Sequence, residues 1–75
     1  MPMRIKITSE IAGQVWKLLA QQGDELATDA PIVILESMKM EIPILAPTAG
    51  KIIELHVAEK DMIAEDQLIC VIESQ

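Results

Sequence analysis

"AGQVWKLLAQQGDELATDAPIVILES" (12–37) returns 37 residues later as "AGKIIELHVAEKDMIAEDQLICVIES" (49–74), and the two stretches align without a gap. Nine of the 26 aligned pairs are identical. Most of the remaining pairs keep their chemical character, as Ile34 and Val71 do. An internal repeat of this kind predicts two copies of one supersecondary unit that bury their apolar faces against each other.

The repeat resolves an ambiguity in local structure. Taken alone, "QVWKLLAQQ" (14–22) has apolar residues at helical spacing. Its partner "KIIELHVAE" (51–59) is rich in β-branched residues, and its apolar and polar residues alternate as they do along a strand. Because two copies of one motif should fold alike, we predict a strand in both places.

Each half then consists of a strand, a turn, a short strand, a second turn and a long apolar strand. The turns are predicted at Gly23-Asp24 and Asp29, and at the equivalent positions of the second half. A further strand precedes each half: "RIKIT" (4–8) and "MEIPIL" (40–45). About eight short strands in two related halves predict an all-β antiparallel barrel or sandwich with a pseudo-twofold axis.

A lysine lies where the two halves meet. The first repeat ends at Ser37, and the chain must reverse over Met38-Lys39-Met40 to enter "MEIPIL". Tight hairpins usually have Asn-Gly, Asp-Gly or another glycine at this place, and none is present here. A turn that departs from local rules is a candidate functional site. We therefore predict that Lys39 is the exposed tip of a β-hairpin.

Composition excludes several classes of function. The chain has 75 residues, enough for one domain, and a net charge of −6, which argues against nucleic-acid and anionic membrane partners. A single Cys and a single His argue against a metal site, and any Ser/His/Asp chemistry would have to use His56. Cys70 aligns with Val33 and is expected to be buried, while Trp16 aligns with Ile53 and is expected to pack.

The stretch "ESMKMEIPILAPTAGKI" (36–52) resembles the attachment signature of the biotin carboxyl carrier domain family, which commonly reads Glu-Ala-Met-Lys-Met. The upstream "GDELATDAPIVILES" (23–37) resembles the same family, so the likeness covers roughly residues 5–73. The resemblance implies a flattened barrel-sandwich hybrid of two four-stranded antiparallel sheets, with the modified lysine on an exposed turn. Because the two halves align without a gap, the chain resembles the short carriers that lack an inserted thumb loop.

The resemblance also implies roles for individual residues. Lys39 would carry covalent biotin through an amide on its ε-amine. Glu36, Ser37, Met38 and Met40 would be read by a biotin protein ligase, although a methionine can also fill a gap in the core. Ser37 stands where the family usually has alanine. Glu73 occupies the place of Glu36 in the other half, so Glu36 can equally be an ordinary strand end.

The function implied is that of a non-catalytic carrier in the cytoplasm, expected to be monomeric on its own. Its biotin would shuttle a carboxyl group between a biotin carboxylase and a carboxyltransferase. The alternatives are a lipoyl carrier of a 2-oxoacid dehydrogenase-like system, a dual biotin/lipoyl attachment protein, or an unmodified structural module. The carboxyl acceptor stays open among acetyl-, propionyl- and methylcrotonyl-CoA, urea and a 2-oxoacid. A free-standing protein is expected, with a fragment of a longer subunit as the alternative.

Overall fold

The computed structural model describes residues 2–74; Met1 and Gln75, which the predicted domain 1–75 includes, lie outside the described residues. The described residues form eight β-strands: β1 (Met3–Thr8), β2 (Gly13–Leu18), β3 (Glu25–Leu26), β4 (Pro31–Ser37), β5 (Met40–Leu45), β6 (Gly50–Leu55), β7 (Met62–Ile63) and β8 (Leu68–Ser74). Within these residues no helix could cross a membrane.

The strands form two four-stranded antiparallel sheets. One sheet has the order β1-β8-β6-β3 and the other the order β5-β4-β2-β7. Each strand of the first half recurs in the second half 37 residues later. Exchanging the halves therefore converts one sheet into the other, strand for strand. The predicted all-β fold with pseudo-twofold symmetry is confirmed, and each sheet contains two strands from each half.

The core lies between the sheets and is almost wholly aliphatic. Its centre is formed by inward side chains of β4 and β8 that are equivalent under the repeat, such as Ile32 with Ile69 and Leu35 with Ile72. Cys70 is buried, as predicted from its alignment with Val33. Long runs of buried residues in these two strands explain why both read as continuous apolar stretches in the sequence.

The turns of the two halves also match bond for bond. The Gly23 amide donates to the Ile52 carbonyl oxygen (2.7 Å), and the equivalent Lys60 amide donates to that of Val15 (2.8 Å). Lys60 adopts a φ of 75°, a left-handed conformation that glycine supplies at position 23, where φ is 96°. The predicted turns at these positions are therefore present in both halves.

Two details of the predicted strands differ in the structure. The strand expected over 14–22 ends at Leu18, because its successor Leu19 leaves the sheet after one hydrogen bond to the Ile32 carbonyl oxygen. The strand expected over 51–59 ends early in the same way, at the equivalent Leu55. The pairing register also shifts between Val15 and Lys17, which makes Trp16 the extra residue of a β-bulge. Trp16 was expected to pack, but the bulge leaves it 45% exposed, with the Lys17 ammonium 4.9 Å from its ring centre.

Candidate functional site

Lys39 lies in a two-residue hairpin loop between β4 and β5. Ser37 pairs with Met40 and closes the loop, so the turn residues are Met38 and Lys39 alone and Met40 is already in a strand. Both turn residues have positive φ, 52° for Met38 and 66° for Lys39. Positive φ at both central positions is the geometry of a type I′ turn, whose twist matches that of the flanking strands.

The hairpin tip projects its side chains into solvent. Met38 is 92% exposed and Met40 is 64% exposed, so neither methionine fills a gap in the core. Lys39 is exposed as well, whereas Ser37 is half-buried at the base of the turn. The turn therefore presents a primary amine between two accessible thioether side chains.

Close packing beneath the hairpin fixes its base. A Cβ placed on Gly13 of β2 would lie 2.8 Å from the Glu36 carbonyl oxygen and 3.4 Å from the Ser37 Cβ. Only glycine allows the backbone of β2 to approach the end of β4 this closely. On the inner face Leu35 is fully buried. The exposed tip thus stands on a base that is packed from both sides.

Charged neighbours near the tip are acidic. Glu36 and Glu41 face each other across β4 and β5 and are both exposed. Within residues 2–74 the Arg4–Glu73 ion pair (3.7 Å) lies elsewhere, as does the hydrogen bond between the His56 ring and the Glu54 carboxylate (2.9 Å). The structure therefore brings Glu36, Met38, Lys39 and Met40 together on one exposed end.

This arrangement can accept a covalent group on the amine. An amide bond between a carboxylic acid and Lys39 needs an accessible nitrogen, and the exposed turn provides it. A free carboxylate does not acylate an amine, so an acylating enzyme must bring an activated donor to Lys39. The exposed tip and its packed base therefore fit a long covalent cofactor such as biotin or lipoate.

Other reactive side chains lie away from the hairpin. Burial raises the pKa of the Cys70 thiol to about 11, which keeps it protonated and unreactive at neutral pH. His56 is exposed on the opposite sheet, where its ring pairs with Glu54. Within residues 2–74 no group of three His, Cys, Asp or Glu side chains could hold a metal ion.

Sequence reasoning missed a groove between the two edge strands β1 and β5. Its volume is about 390 Å³, and its walls include Ile5, Ile42 and Ile44. The groove follows from the pairing of β1 with β8 and of β5 with β4, which leaves β1 and β5 at neighbouring sheet edges. Strand order of this kind has no signature in local sequence.

Comparison with known proteins gives a consistent result. The biotin/lipoyl family model, described as "Biotin-requiring enzyme", matches residues 1–72. The biotin/lipoyl attachment protein of Bacillus subtilis is 43% identical over 37 residues, which are 49% of this chain and 51% of that protein. The matched segment thus spans about half the length of that relative.

Solved structures share the whole architecture. The urea carboxylase of Kluyveromyces lactis contains a region with a TM-score of 0.86 and 30% identity, covering 93% of this chain and 6% of that one. A single-chain, multi-domain long-chain acyl-CoA carboxylase gives a TM-score of 0.91 at 24% identity, over 96% of this chain and 7% of that one. A Shewanella amazonensis protein of the succinylglutamate desuccinylase/aspartoacylase family, at 19% identity and a TM-score of 0.82, shows the same fold.

Proposed function

The chain belongs to the family of biotin/lipoyl attachment domains, and on this premise we propose that it is a biotin carrier acylated on Lys39. The observation that carries the proposal is the Met38-Lys39 turn. It places one exposed amine between two exposed methionines, on a base packed by Gly13 and Leu35. Biotin bound there would supply reversible attachment of a carboxyl group.

The residues of this chain have a positioning role in the proposal. The type I′ turn holds the Lys39 backbone, and the side chain carries the flexible part of the arm. Tethering makes each encounter between the cofactor and a partner active site effectively intramolecular. No side chain of the chain is given a catalytic role, so the reactions belong to the partners.

The partners in this proposal are three enzymes. A biotin protein ligase would attach the cofactor. A biotin carboxylase would load a carboxyl group from bicarbonate with hydrolysis of ATP, and a carboxyltransferase would pass that group to an acceptor. Likeness to regions of a urea carboxylase and of an acyl-CoA carboxylase supports this general scheme. The acceptor can be an acyl-CoA, urea or a 2-oxoacid. Residues 1–75 form one attachment domain in this proposal, and its location in the cytoplasm stays a prediction.

Lipoate is the second candidate cofactor. The family includes carriers of either group, and the Bacillus subtilis relative is named for both. Exposure of Met38 and Met40 favours biotin. The resemblance to the carboxyl carrier signature implies that a biotin protein ligase recognises both methionines, and both are accessible to it. A lipoyl carrier would serve a 2-oxoacid dehydrogenase-like system instead.

Acylation of the purified protein tests the proposal, and the chain contains a matched control. Lys60 is also an exposed lysine at a left-handed turn position, but no methionine flanks it. The wild type, Lys39→Arg and Lys60→Arg are incubated with biotin protein ligase, ATP and biotin, and in parallel with a lipoate ligase and lipoate. Incorporation is read by peptide mass spectrometry.

We expect biotin on the wild type and on Lys60→Arg, and none on Lys39→Arg. If the wild type incorporates lipoate and no biotin, the cofactor is lipoate and the biotin proposal is wrong. If the wild type takes up neither group, the carrier function is refuted and the remaining alternative is an unmodified structural module.

A further inference from the structure

The pseudo-twofold axis allows a comparison of two equivalent places on the surface. One row of outward side chains crosses the sheet that bears Lys39, one residue pair behind the turn. We name it the hairpin row, and its members, in the order of the strands β7-β2-β4-β5, are Met62, Gln14, Glu36 and Glu41. Adjacent strands lie about 4.8 Å apart, so the row is roughly 14 Å wide.

The equivalent row crosses the other sheet, and we name it the distal row. Its members, in the order of the strands β3-β6-β8-β1, are Glu25, Lys51, Glu73 and Arg4. Their charges alternate from strand to strand, and Arg4 forms an ion pair with Glu73 at 3.7 Å. Opposite charges on paired residues stabilise a sheet, so the distal row satisfies its own charges.

The hairpin row lacks both compensating cations. In the distal row, Glu73 lies between the cations Arg4 and Lys51. In the hairpin row, the equivalent Glu36 lies between Glu41 and Gln14. Two carboxylates directly opposite each other destabilise a strand pair. Where the distal row has Glu25, the hairpin row has Met62, which is 74% exposed. The fold is thus compatible with a balanced row, yet the row beside Lys39 is apolar at one end and doubly negative at the other.

We propose that the hairpin row is the surface on which the acylating ligase docks, and that the ligase meets it with basic side chains at Glu36 and Glu41 and an apolar contact at Met62. The inference rests on the proposed function and extends it to Gln14, Glu41 and Met62. Complementary charge in such a contact speeds encounter and fixes register more than it adds affinity. The unbalanced carboxylates are then neutralised only in the complex.

The length of the Lys39 side chain favours the ligase over the biotin carboxylase as the protein that contacts the hairpin row. Before acylation, the Lys39 side chain carries its nitrogen only about 6 Å from the Cα, so the surface behind the turn must come against the ligase. After acylation, the added arm roughly doubles that reach, and the domain can stand further from the carboxylase site. The hairpin row begins one residue pair from the turn. It therefore lies on the part of the surface that must contact the ligase before acylation and need not contact the carboxylase afterwards.

Variants that copy the distal row test this proposal. Glu41→Arg places at position 41 the residue type found at its equivalent, Arg4, and Met62→Glu does the same with Glu25. The control for charge is Gln22→Lys/Thr28→Lys, which makes the same net change as Glu41→Arg on exposed turn residues outside the hairpin row. Folding of each variant is checked by its urea midpoint. The measured quantity is kcat/KM for biotin incorporation by biotin protein ligase at several salt concentrations.

We expect Glu41→Arg to lower kcat/KM about tenfold at low salt and to flatten its dependence on salt. Met62→Glu should lower kcat/KM through loss of the apolar contact and, because it adds a negative charge, should not flatten the dependence on salt. The control should resemble the wild type in both rate and dependence on salt. Equal rates for the wild type and Glu41→Arg would overturn the inference, as would a defect that appears only in later carboxylation. Because the wild type is biotinylated in each of these outcomes, they leave the carrier function itself intact.

Discussion

At the scale of the residue, Met38 and Lys39 adopt left-handed backbone conformations that residues other than Gly and Asn disfavour. The strands on either side hold them there, at a cost of roughly 1–3 kcal/mol for each residue. Strain of this kind is common where a side chain must be presented in one place. The turn is therefore better suited to displaying its lysine than to stabilising the hairpin.

Replacing the turn residues should separate stability from function. Met38→Asn/Lys39→Gly supplies the preferred sequence of a type I′ turn and relieves the strain at both positions. The extra freedom of glycine in the unfolded chain offsets part of this gain, so we expect the free energy of unfolding to rise by about 1–2 kcal/mol. The same variant should accept no acyl group. Urea denaturation measures the first effect, with Lys39→Arg as the control that removes the attachment group and keeps the strain. A lower urea midpoint in the double variant would contradict the assignment of the turn.

Cys70 should make stability depend on pH in alkaline solution. Burial raises its pKa to about 11 in the folded protein, against about 8.5 in an unfolded chain. The contribution is complete below pH 8.5, because the thiol is then protonated in both states, and it is lost between pH 8.5 and 11 as the unfolded thiol ionises. We expect the free energy of unfolding to fall by about 3 kcal/mol over this range, since each pH unit between the two pKa values corresponds to about 1.4 kcal/mol.

Cys70→Val is the matched variant, since Val33 occupies the equivalent buried position. The difference in unfolding free energy between wild type and Cys70→Val isolates the thiol, because every other group is common to both proteins. A difference that stays constant from pH 8 to 11 would show that the thiol is not buried.

At the scale of the element, the repeat predicted more than the local pattern did. Strand character for 14–22 came only from its partner 51–59, and the structure has β2 and β6 at equivalent positions. The bulge at Trp16 was not predictable, because one inserted residue breaks the alternation on which strand assignment depends. The repeat also extended the predicted strand to residue 22, because its partner was taken as a strand to residue 59, beyond the end of the sheet pairing at Leu55.

Glycine at the start of β2 and β6 is required by close strand packing. An added Cβ at Gly50 would overlap the Ile72 side chain and lie 2.7 Å from the Glu73 carbonyl oxygen. We expect Gly50→Ala to cost about 2–3 kcal/mol of unfolding free energy, because the fully packed core there cannot move aside. Gly13→Ala, where no core side chain would be overlapped, should cost less. Equal urea midpoints for wild type and Gly50→Ala would contradict this packing.

At the scale of the whole molecule, symmetry accounts for the fold and departures from symmetry indicate the function. The shift of 37 residues was enough to predict two related halves and a hairpin tip at Lys39, because both depend on chain order alone. The exchange of strands between sheets was not predictable, since it depends on long-range pairing. The imbalance of the hairpin row became visible only with the register, which places Glu36 beside Glu41.

The most direct measurement is the mass of the intact protein isolated from its host, followed by fragmentation of the peptide that contains Lys39. We predict a single addition equal to biotin less one water, located on Lys39 and absent from Lys39→Arg. An unmodified Lys39, a lipoyl group on that residue, or biotin on another lysine such as Lys60 would contradict it.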